Sequence, residues 1–294
     1  SRRDFTINAM AIDLARNIIH DPYGGVEDLE NQCLKAVGSA EERLGEDGLR
    51  LLRAYRFMDQ GERGVWEPNS ELSNALLSCG NMLENVSEER VWSEFYRILC
   101  GKNAASILER MRQDGALSRI LPGWDAEIDL QYLLQVPEKD GFACRLVLLA
   151  SEIPRERWRR MEHDLRALKL SNQERGIVMN LHRLLGHLPT EGPEFRRYRS
   201  SVGDLIEAHL AIEDVLHPIE AGVAREELAK LAPLKAGNEP LVDGHLLSSK
   251  SDLPAGRRLG RLKEWLFCIQ IEQDLANSDE VIALLDILDW KNTD

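Results

Sequence analysis

Glu46-Asp47-Gly48-Leu49-Arg50-Leu51-Leu52-Arg53-Ala54-Tyr55-Arg56-Phe57 decides how the rest of this chain is read. At 100° per residue, Leu51, Leu52 and Tyr55 fall within an arc of ~100° that can face a core. Arg50, Arg53 and Arg56 recur every three residues on the opposite side, each turned ~60° from the last, and Asp47 stands one such step before Arg50. The spacing predicts one continuous helix, entered at Ser39 through a capping box with Glu42 and running to about Asp59. Asp47 and Arg50 together offer acceptors and donors in one plane, as reading a base edge requires. Arg53 and Arg56 could clamp phosphates through bidentate forks. Spacing alone fits a solvated helix face better, its Asp–Arg pair contributing a few tenths of a kcal/mol.

Upstream, Met10 to Asp13 and Asn17 to His20 read as two short strands joined around Ala15-Arg16. Asp21-Pro22-Tyr23-Gly24-Gly25 then breaks the chain. A short helix from Val26 to Gln32 and a strand from Leu34 to Val37 follow. Downstream the pattern is helical almost throughout, with helices predicted over 70–84, 87–100, 103–114, 140–151, 155–169, 172–187, 201–215, 224–232, 256–275 and 278–289. Breaks are expected at Leu188 to Pro193 and elsewhere, and the longest connection from Gly237 to Pro254. The fold class is mainly α, with a small α/β piece at the front.

Composition narrows the function classes. The chain has 294 residues, 43% hydrophobic and 30% charged, with a formal net charge of −13, typical of a globular protein. No apolar run approaches the ~20 residues of a membrane span. Five scattered cysteines without CxxC spacing argue for reduced thiols, hence a cytoplasmic setting, and against a zinc site. An acidic chain does not bind polyanions indiscriminately, although local basic stripes can still hold RNA. There is neither a GxGxxG nor a GxxxxGK[ST] loop.

Three motifs occur in order and at close spacing: Arg2-Arg3-Asp4-Phe5-Thr6-Ile7-Asn8-Ala9-Met10-Ala11-Ile12-Asp13, then Asp21-Pro22-Tyr23-Gly24-Gly25-Val26-Glu27-Asp28-Leu29, then the Arg-bearing helix. Together they resemble the class II tRNA nucleotidyltransferase (CCA-adding enzyme) and bacterial poly(A) polymerase family. Ser87 to Phe95 looks like the family's next motif, with Arg90 and Glu94 one turn apart stiffening a neck. Val242-Asp243-Gly244 and Pro254 to Gly260 are similar to its tail region.

The resemblance implies a C-terminal remnant of an α/β nucleotidyltransferase head at 1–41, a neck with the nucleotide-reading helix at 42–115, a helical body at 116–215 and a tRNA-binding tail at 216–294. It implies addition of CMP and AMP to tRNA 3′ ends, with CTP and ATP as substrates and Mg²⁺ as cofactor. Asp47 and Arg50 would read the base edge. Arg3, Arg53 and Arg56 would contact the incoming nucleotide, with Arg2, Asp4 and Asn8 in the same motif and Glu46 orienting its neighbours. Where the family pattern has Pro, this chain has Gly48, expected to weaken the helix by ~1 kcal/mol against Ala and to leave the side-chain ladder intact.

The family's Mg²⁺-binding D-x-D lies before the Arg-Arg-Asp motif and is not found in this sequence. Ser1-Arg2-Arg3 therefore reads as the cut edge of a longer protein, no catalytic or metal residue is assigned, and this chain alone is expected to be inactive. Asp125 with Asp129, and Asp286 with Asp289, read as solvated faces, and His163-Asp164 resembles a metal dyad only superficially. Basic clusters at Arg155, Arg159 and Arg160 near Trp158, at Arg196, Arg197 and Arg199, and at Arg257, Arg258 and Arg261 could hold RNA phosphates or be ordinary helix surface. The six tryptophans read as packing anchors. Rival readings are a poly(A) polymerase or A-adding enzyme, and a non-catalytic RNA-binding subunit that needs a separate head chain.

Overall fold

The computed structural model describes residues 2–124, 133, 136 and 141–288. The chain divides into two compact units, Ser1–Leu185 and Gly186–Asp294. The expected hairpin forms: β1 (Ala11–Asp13) pairs antiparallel with β2 (Ile18–His20), Ile12 opposite Ile19. Asp13 closes its turn by accepting from the Ala15 and Arg16 N–H groups. Then come α1 (Gly25–Glu30), β3 (Cys33–Leu34), α2 (Ala40–Glu46), α3 (Leu49–Met58) and β4 (Glu67–Pro68), which pairs parallel with β3. The helices α4 (Ser70–Ser78), α5 (Glu88–Leu99), α6 (Ala104–Gln113), α7 (Ala116–Ile120), α8 (Gly141–Leu149), α9 (Trp158–Ala167) and α10 (Asn172–Leu184) complete this unit.

The apolar stripe of α3 is where expectation placed it: Leu51, Leu52 and Tyr55 have no exposed surface. Phe5, Leu34, Phe95 and Ile98 are buried too, and α5 and β3 pack against α3. At ~25 cal/mol per Å², each such side chain contributes roughly 1.5–3 kcal/mol, so burial of this stripe fixes which way α3 turns its arginines. Tyr55 also donates its hydroxyl to Asp114 at 2.9 Å. Burial and the Asp114 charge push its phenol far above the ordinary range.

The predicted continuous helix from Ser39 to Asp59 is two helices. Ser39 accepts from the Glu42 N–H at 3.4 Å and starts α2. α2 ends at Asp47, whose backbone is extended (φ −155°, ψ 107°). Gly48 then restarts the chain as α3. A Cβ on Gly48 would lie 2.2 Å from the Met82 carbonyl oxygen, so glycine is set here by close backbone approach and not tolerated inside a helix.

In the second unit α11 (Gly192–Val202), α12 (Ile206–Leu216) and α13 (Pro218–Lys230) enclose Phe195, Leu210 and Ala224. α14 (Gly244–Ser251), α15 (Arg257–Gln273) and α16 (Ser278–Ile287) enclose Leu247, Leu262, Leu266 and Val281. Three expectations fail here. α11 starts inside the predicted break at 188–193, because Pro193 suits a first helical turn. Pro218 opens α13 earlier than 224 for the same reason. α14 occupies the predicted connection at 237–254, capped by Asp243 accepting from the Leu246 N–H at 2.8 Å.

Trp66, Trp92 and Trp124 are buried as expected, whereas Trp158 is 45% and Trp265 36% exposed. Asp125, Asp129, Asp289 and Trp290 lie outside the described residues.

Candidate nucleotide-recognition site

The first two motifs lock together through backbone chemistry. Phe5 is fully buried and bridges to Ala36, with Thr6 N–H donating to the Lys35 carbonyl and Val37 N–H to the Asp4 carbonyl, both at 3.0 Å. Asp21 accepts from the Gly25 and Val26 N–H groups at 2.7 and 2.9 Å. Gly24 holds φ 72°, which glycine adopts without steric cost. Gly25 serves a different need, because a Cβ there would stand 2.4 Å from the Thr6 carbonyl oxygen. Thr6 in turn donates its hydroxyl to Asp28 at 2.7 Å. The Gly-Gly pair is therefore a packing device for the first motif, with one glycine for the turn and one for the contact.

The third motif docks onto this frame by charge. Asp4, 6% exposed, receives Arg53 through Nε at 2.7 Å and a terminal nitrogen at 2.5 Å. Asn8 Nδ2 and the Phe5 N–H donate to its other oxygen. Burial raises the Asp4 carboxyl, but hydrogen bonds from Arg53 and Asn8, the Arg53 charge and the Phe5 N–H outweigh it and hold the pKa below the ordinary value. A depressed folded pKa gives stability that is full above the unfolded value near ~3.9 and is lost as pH falls through the folded one. Asp4→Asn is expected to lower stability at pH 7 by about 2 kcal/mol, the scale of a buried hydrogen bond to a charged group. The loss should shrink towards pH 3, as read by urea denaturation at both pH values.

From α5, Glu94 reaches the same helix. Its side chain is 7% exposed and lies 2.6 Å from Arg56 Nε, 3.8 Å from Arg53 and 3.5 Å from Arg97. Arg56 and Arg53 also lie over the Phe57 ring, 4.2 and 5.3 Å from its centroid, and Phe57 meets Phe5 edge-on. One turn earlier on α5, Arg90 donates to Asp47 at 2.7 Å. Burial pushes the Asp47 carboxyl up, and the Arg90 hydrogen bond, the Leu49 N–H and the charges of Arg90 and Arg50 more than reverse it.

Asp47 and Arg50 are thus not partners on one helix face. Asp47 sits in the break between α2 and α3, where its side chain accepts from the Leu49 N–H at 3.1 Å. Arg50 instead donates to Glu46 at 2.5 Å and to the Arg43 carbonyl at 2.8 Å, with the Arg2 carbonyl at 3.5 Å. Glu46 is shared with Arg43 at 3.0 Å. Its carboxyl is lowered first by the Arg50 hydrogen bond, then by the nearby cations. Asp47 and Arg50 remain close enough for the Arg50 charge to act on Asp47, each anchored by another group. Arg2 and Arg3 are exposed at the chain's start.

Sequence reading set Arg90 and Glu94 one turn apart on one helix as neck-stiffening residues without naming their partners; in the fold each ties a different point of the α3 region. It missed Arg43 and Arg97, both of which the three-residue spacing to Glu46 and Glu94 could have flagged. Arg159 and Arg160 are exposed on α9, and Arg257, Arg258 and Arg261 are exposed on α15. The Arg155 side chain lies outside the described ones. Arg196, Arg197 and Arg199 serve the fold instead: Arg196 and Arg197 donate to Glu272, and Arg199 to the carbonyls of Leu231 and Ala232 after α13.

Residues 1–35 match the family described as "Poly A polymerase head domain", and residues 68–128 match "Probable RNA and SrmB- binding site of polymerase A". A CCA-adding enzyme of Lactobacillus delbrueckii subsp. bulgaricus is 30% identical over 296 residues, covering 96% of this chain and 71% of that protein. One from Lactobacillus johnsonii is 29% identical, covering 96% and 70%. The Bacillus stearothermophilus CCA-adding enzyme, solved in complex with CTP, superposes with TM-score 0.69 at 26% identity over 97% of this chain and 72% of that one. The motifs quoted from the sequence, the contacts that join them, and likeness along nearly the whole chain agree: this chain belongs to the family of CCA-adding enzymes and bacterial poly(A) polymerases.

Proposed function

We propose that this chain is the nucleotide-selecting and tRNA-binding portion of a CCA-adding tRNA nucleotidyltransferase. The observation that carries the reading is the convergence on α3 of the first motif, through Asp4, and of α5, through Arg90 and Glu94, with Asp47 and Arg50 at the helix start. In this reading residues 1–41 are the head remnant, 42–115 the neck, 116–215 the body and 216–294 the tail.

The chemistry follows from the donor and acceptor sets. Cytosine and adenine each present an exocyclic amino donor beside a ring-nitrogen acceptor on the pairing edge, and uracil and guanine present a carbonyl beside an N–H there. A carboxylate beside a guanidinium matches the first pair and opposes the second. Asp47, held ionised by Arg90, accepts from the amino group, and Arg50, steered by Glu46, donates to the ring nitrogen. Arg53 and Arg56 lie along the same helix towards the phosphates, their orientation set by Asp4, with Asn8 behind it, and by Glu94. Arg2, whose carbonyl lies 3.5 Å from Arg50, and Arg3 next to it in sequence are proposed as further cations for the triphosphate. Arg159, Arg160, Arg257, Arg258 and Arg261 are exposed and are the cations proposed to contact tRNA phosphates.

Mg²⁺ would supply activation of the primer hydroxyl and stabilisation of the leaving pyrophosphate. Among the described residues no group of three or more His, Cys, Asp or Glu side chains could hold a metal ion. The donor set of the described residues thus does not fit that centre, and the roles proposed for them are binding and orientation. Among the described residues no helix is long and apolar enough to cross a membrane.

The test joins this chain to the head of a CCA-adding relative and supplies tRNA lacking CCA with each nucleotide in turn. Asp47→Ala is expected to reduce the preference for CTP and ATP over UTP and GTP by roughly 10-fold or more, the scale of one or two lost base-edge hydrogen bonds. Unchanged selectivity would refute the base-reading role.

A further inference from the structure

Between α9 and α10 lies an open cavity of about 460 Å³ that the nucleotide site does not use. Its wall includes Trp158 and Glu162 from α9, the Glu162 carboxylate being paired with Arg166 at 2.7 Å, and Asn172, Arg175, Gly176, Met179 and Arg183 from α10. The α10 residues recur at intervals of three and four, so they form one continuous stripe, while Val178 and Leu181 face the core. The volume is within the range of small-ligand sites.

Three observations specify the occupant. Trp158 is 45% exposed although tryptophan is normally packed, and Arg159 lies over its ring at 5.3 Å, which holds the indole at the cavity wall. Arg175 is fixed at the wall by donating to the Leu170 carbonyl and the Asn172 side chain, and Arg183 is exposed further along the stripe. Residues 155–183 carry eight Arg or Lys against four Asp or Glu, a net +4 within a chain of −13. An aromatic face beside guanidiniums, set in the basic part of an acidic protein, suits a π-system joined to an anion.

We infer that this cavity takes one unpaired nucleotide of a bound RNA, its base stacked on Trp158 and its phosphate held by Arg175 and Arg183. The inference rests on the RNA-binding reading above and adds to it a site where a base is held out of the helix. Gly176 makes the cavity testable without damage to the fold, because a Cβ there meets nothing within 4 Å. A larger side chain would fill the space from a helix position that gains propensity over glycine.

The test measures binding of tRNA lacking CCA to the full chain by fluorescence anisotropy, with thermal melts of each variant. Trp158→Ala and Gly176→Phe are each expected to weaken binding about 10-fold with melting unchanged, and Trp158→Phe to stay within about 3-fold, since stacking needs a ring and not an indole. Arg183→Ala should reduce the slope of log affinity against log salt by about one, the signature of a lost phosphate contact. A competition arm uses AMP alone: the expected result is no displacement of tRNA at millimolar AMP. Saturable AMP binding that Gly176→Phe abolishes while tRNA affinity is unchanged would make this a free-nucleotide site and overturn the RNA assignment. Parent-like tRNA binding by Trp158→Ala and Gly176→Phe would overturn the inference and leave the proposed function standing. Failure of the parent chain to bind tRNA at all would overturn both.

Discussion

Glu94→Gln is expected to destabilise the first unit by about 3 kcal/mol, the cost of removing one member of a buried charge cluster. Glu94 is the carboxylate on which Arg53, Arg56 and Arg97 converge, and its side chain is 7% exposed. Glutamine keeps the shape and one acceptor, but it leaves two guanidiniums on α3, 30% and 22% exposed, with a neutral group between them. The partial exposure of the arginines keeps the loss at the lower end of the buried-pair range. A nucleotide-binding defect should accompany it, because Arg56 is oriented by Glu94 and by Phe57. Urea denaturation gives the first quantity, and CTP titration of the folded variant the second. A variant as stable as the parent would show that the cluster is solvated and that α3 is held by its apolar face alone.

Gly48→Ala is expected to destabilise by a similar amount, about 3 kcal/mol, although the change adds a single methyl group. The Cβ would stand 2.2 Å from the Met82 carbonyl oxygen and 2.6 Å from its carbon. Both are backbone atoms and cannot swing aside, so the chain around 48 or around 82 must move. That movement would carry Asp47 away from Arg90, and base selection should weaken with stability. Gly45→Ala is the internal control. Gly45 lies in α2 with nothing within 4 Å of its added Cβ, so the same substitution should stabilise by about 0.5 kcal/mol through helix propensity. Thermal melts of the two variants side by side check the pair. Equal effects at 45 and 48 would mean that Gly48 sits in an ordinary helix, as its sequence context suggests.

That contrast shows how far the sequence could be read. The apolar stripe Leu51, Leu52 and Tyr55 was legible because burial imposes a period that a single segment displays. The hairpin at 11–20 was legible from alternation and a turn. The break at Asp47-Gly48 was not, because its cause is the Met82 carbonyl, which arrives from a segment thirty-four residues away. The partners of the charged residues were hidden for the same reason. Spacing on one helix suggests Asp47 with Arg50, whereas the fold pairs Asp47 with Arg90, and Glu94 with Arg56, across helices. Helix α14 carries Gly244 and three serines and has little intrinsic propensity. It forms because Asp243 caps it and Leu247 is fully buried against α15 and α16. Trp158 was misjudged in the opposite direction, since nothing in a sequence distinguishes a packed indole from one left at a cavity wall.

The most direct test of the nucleotide-reading role is photo-crosslinking of an azido-ATP to this chain, with CTP as competitor, followed by mass spectrometry of the labelled peptides. The expected result is CTP-sensitive label on peptides spanning Asp47 to Arg56, lost in Asp47→Ala. Label confined to peptides around Trp158 and Arg183, or insensitive to CTP, would contradict the assignment of nucleotide selection to the start of α3.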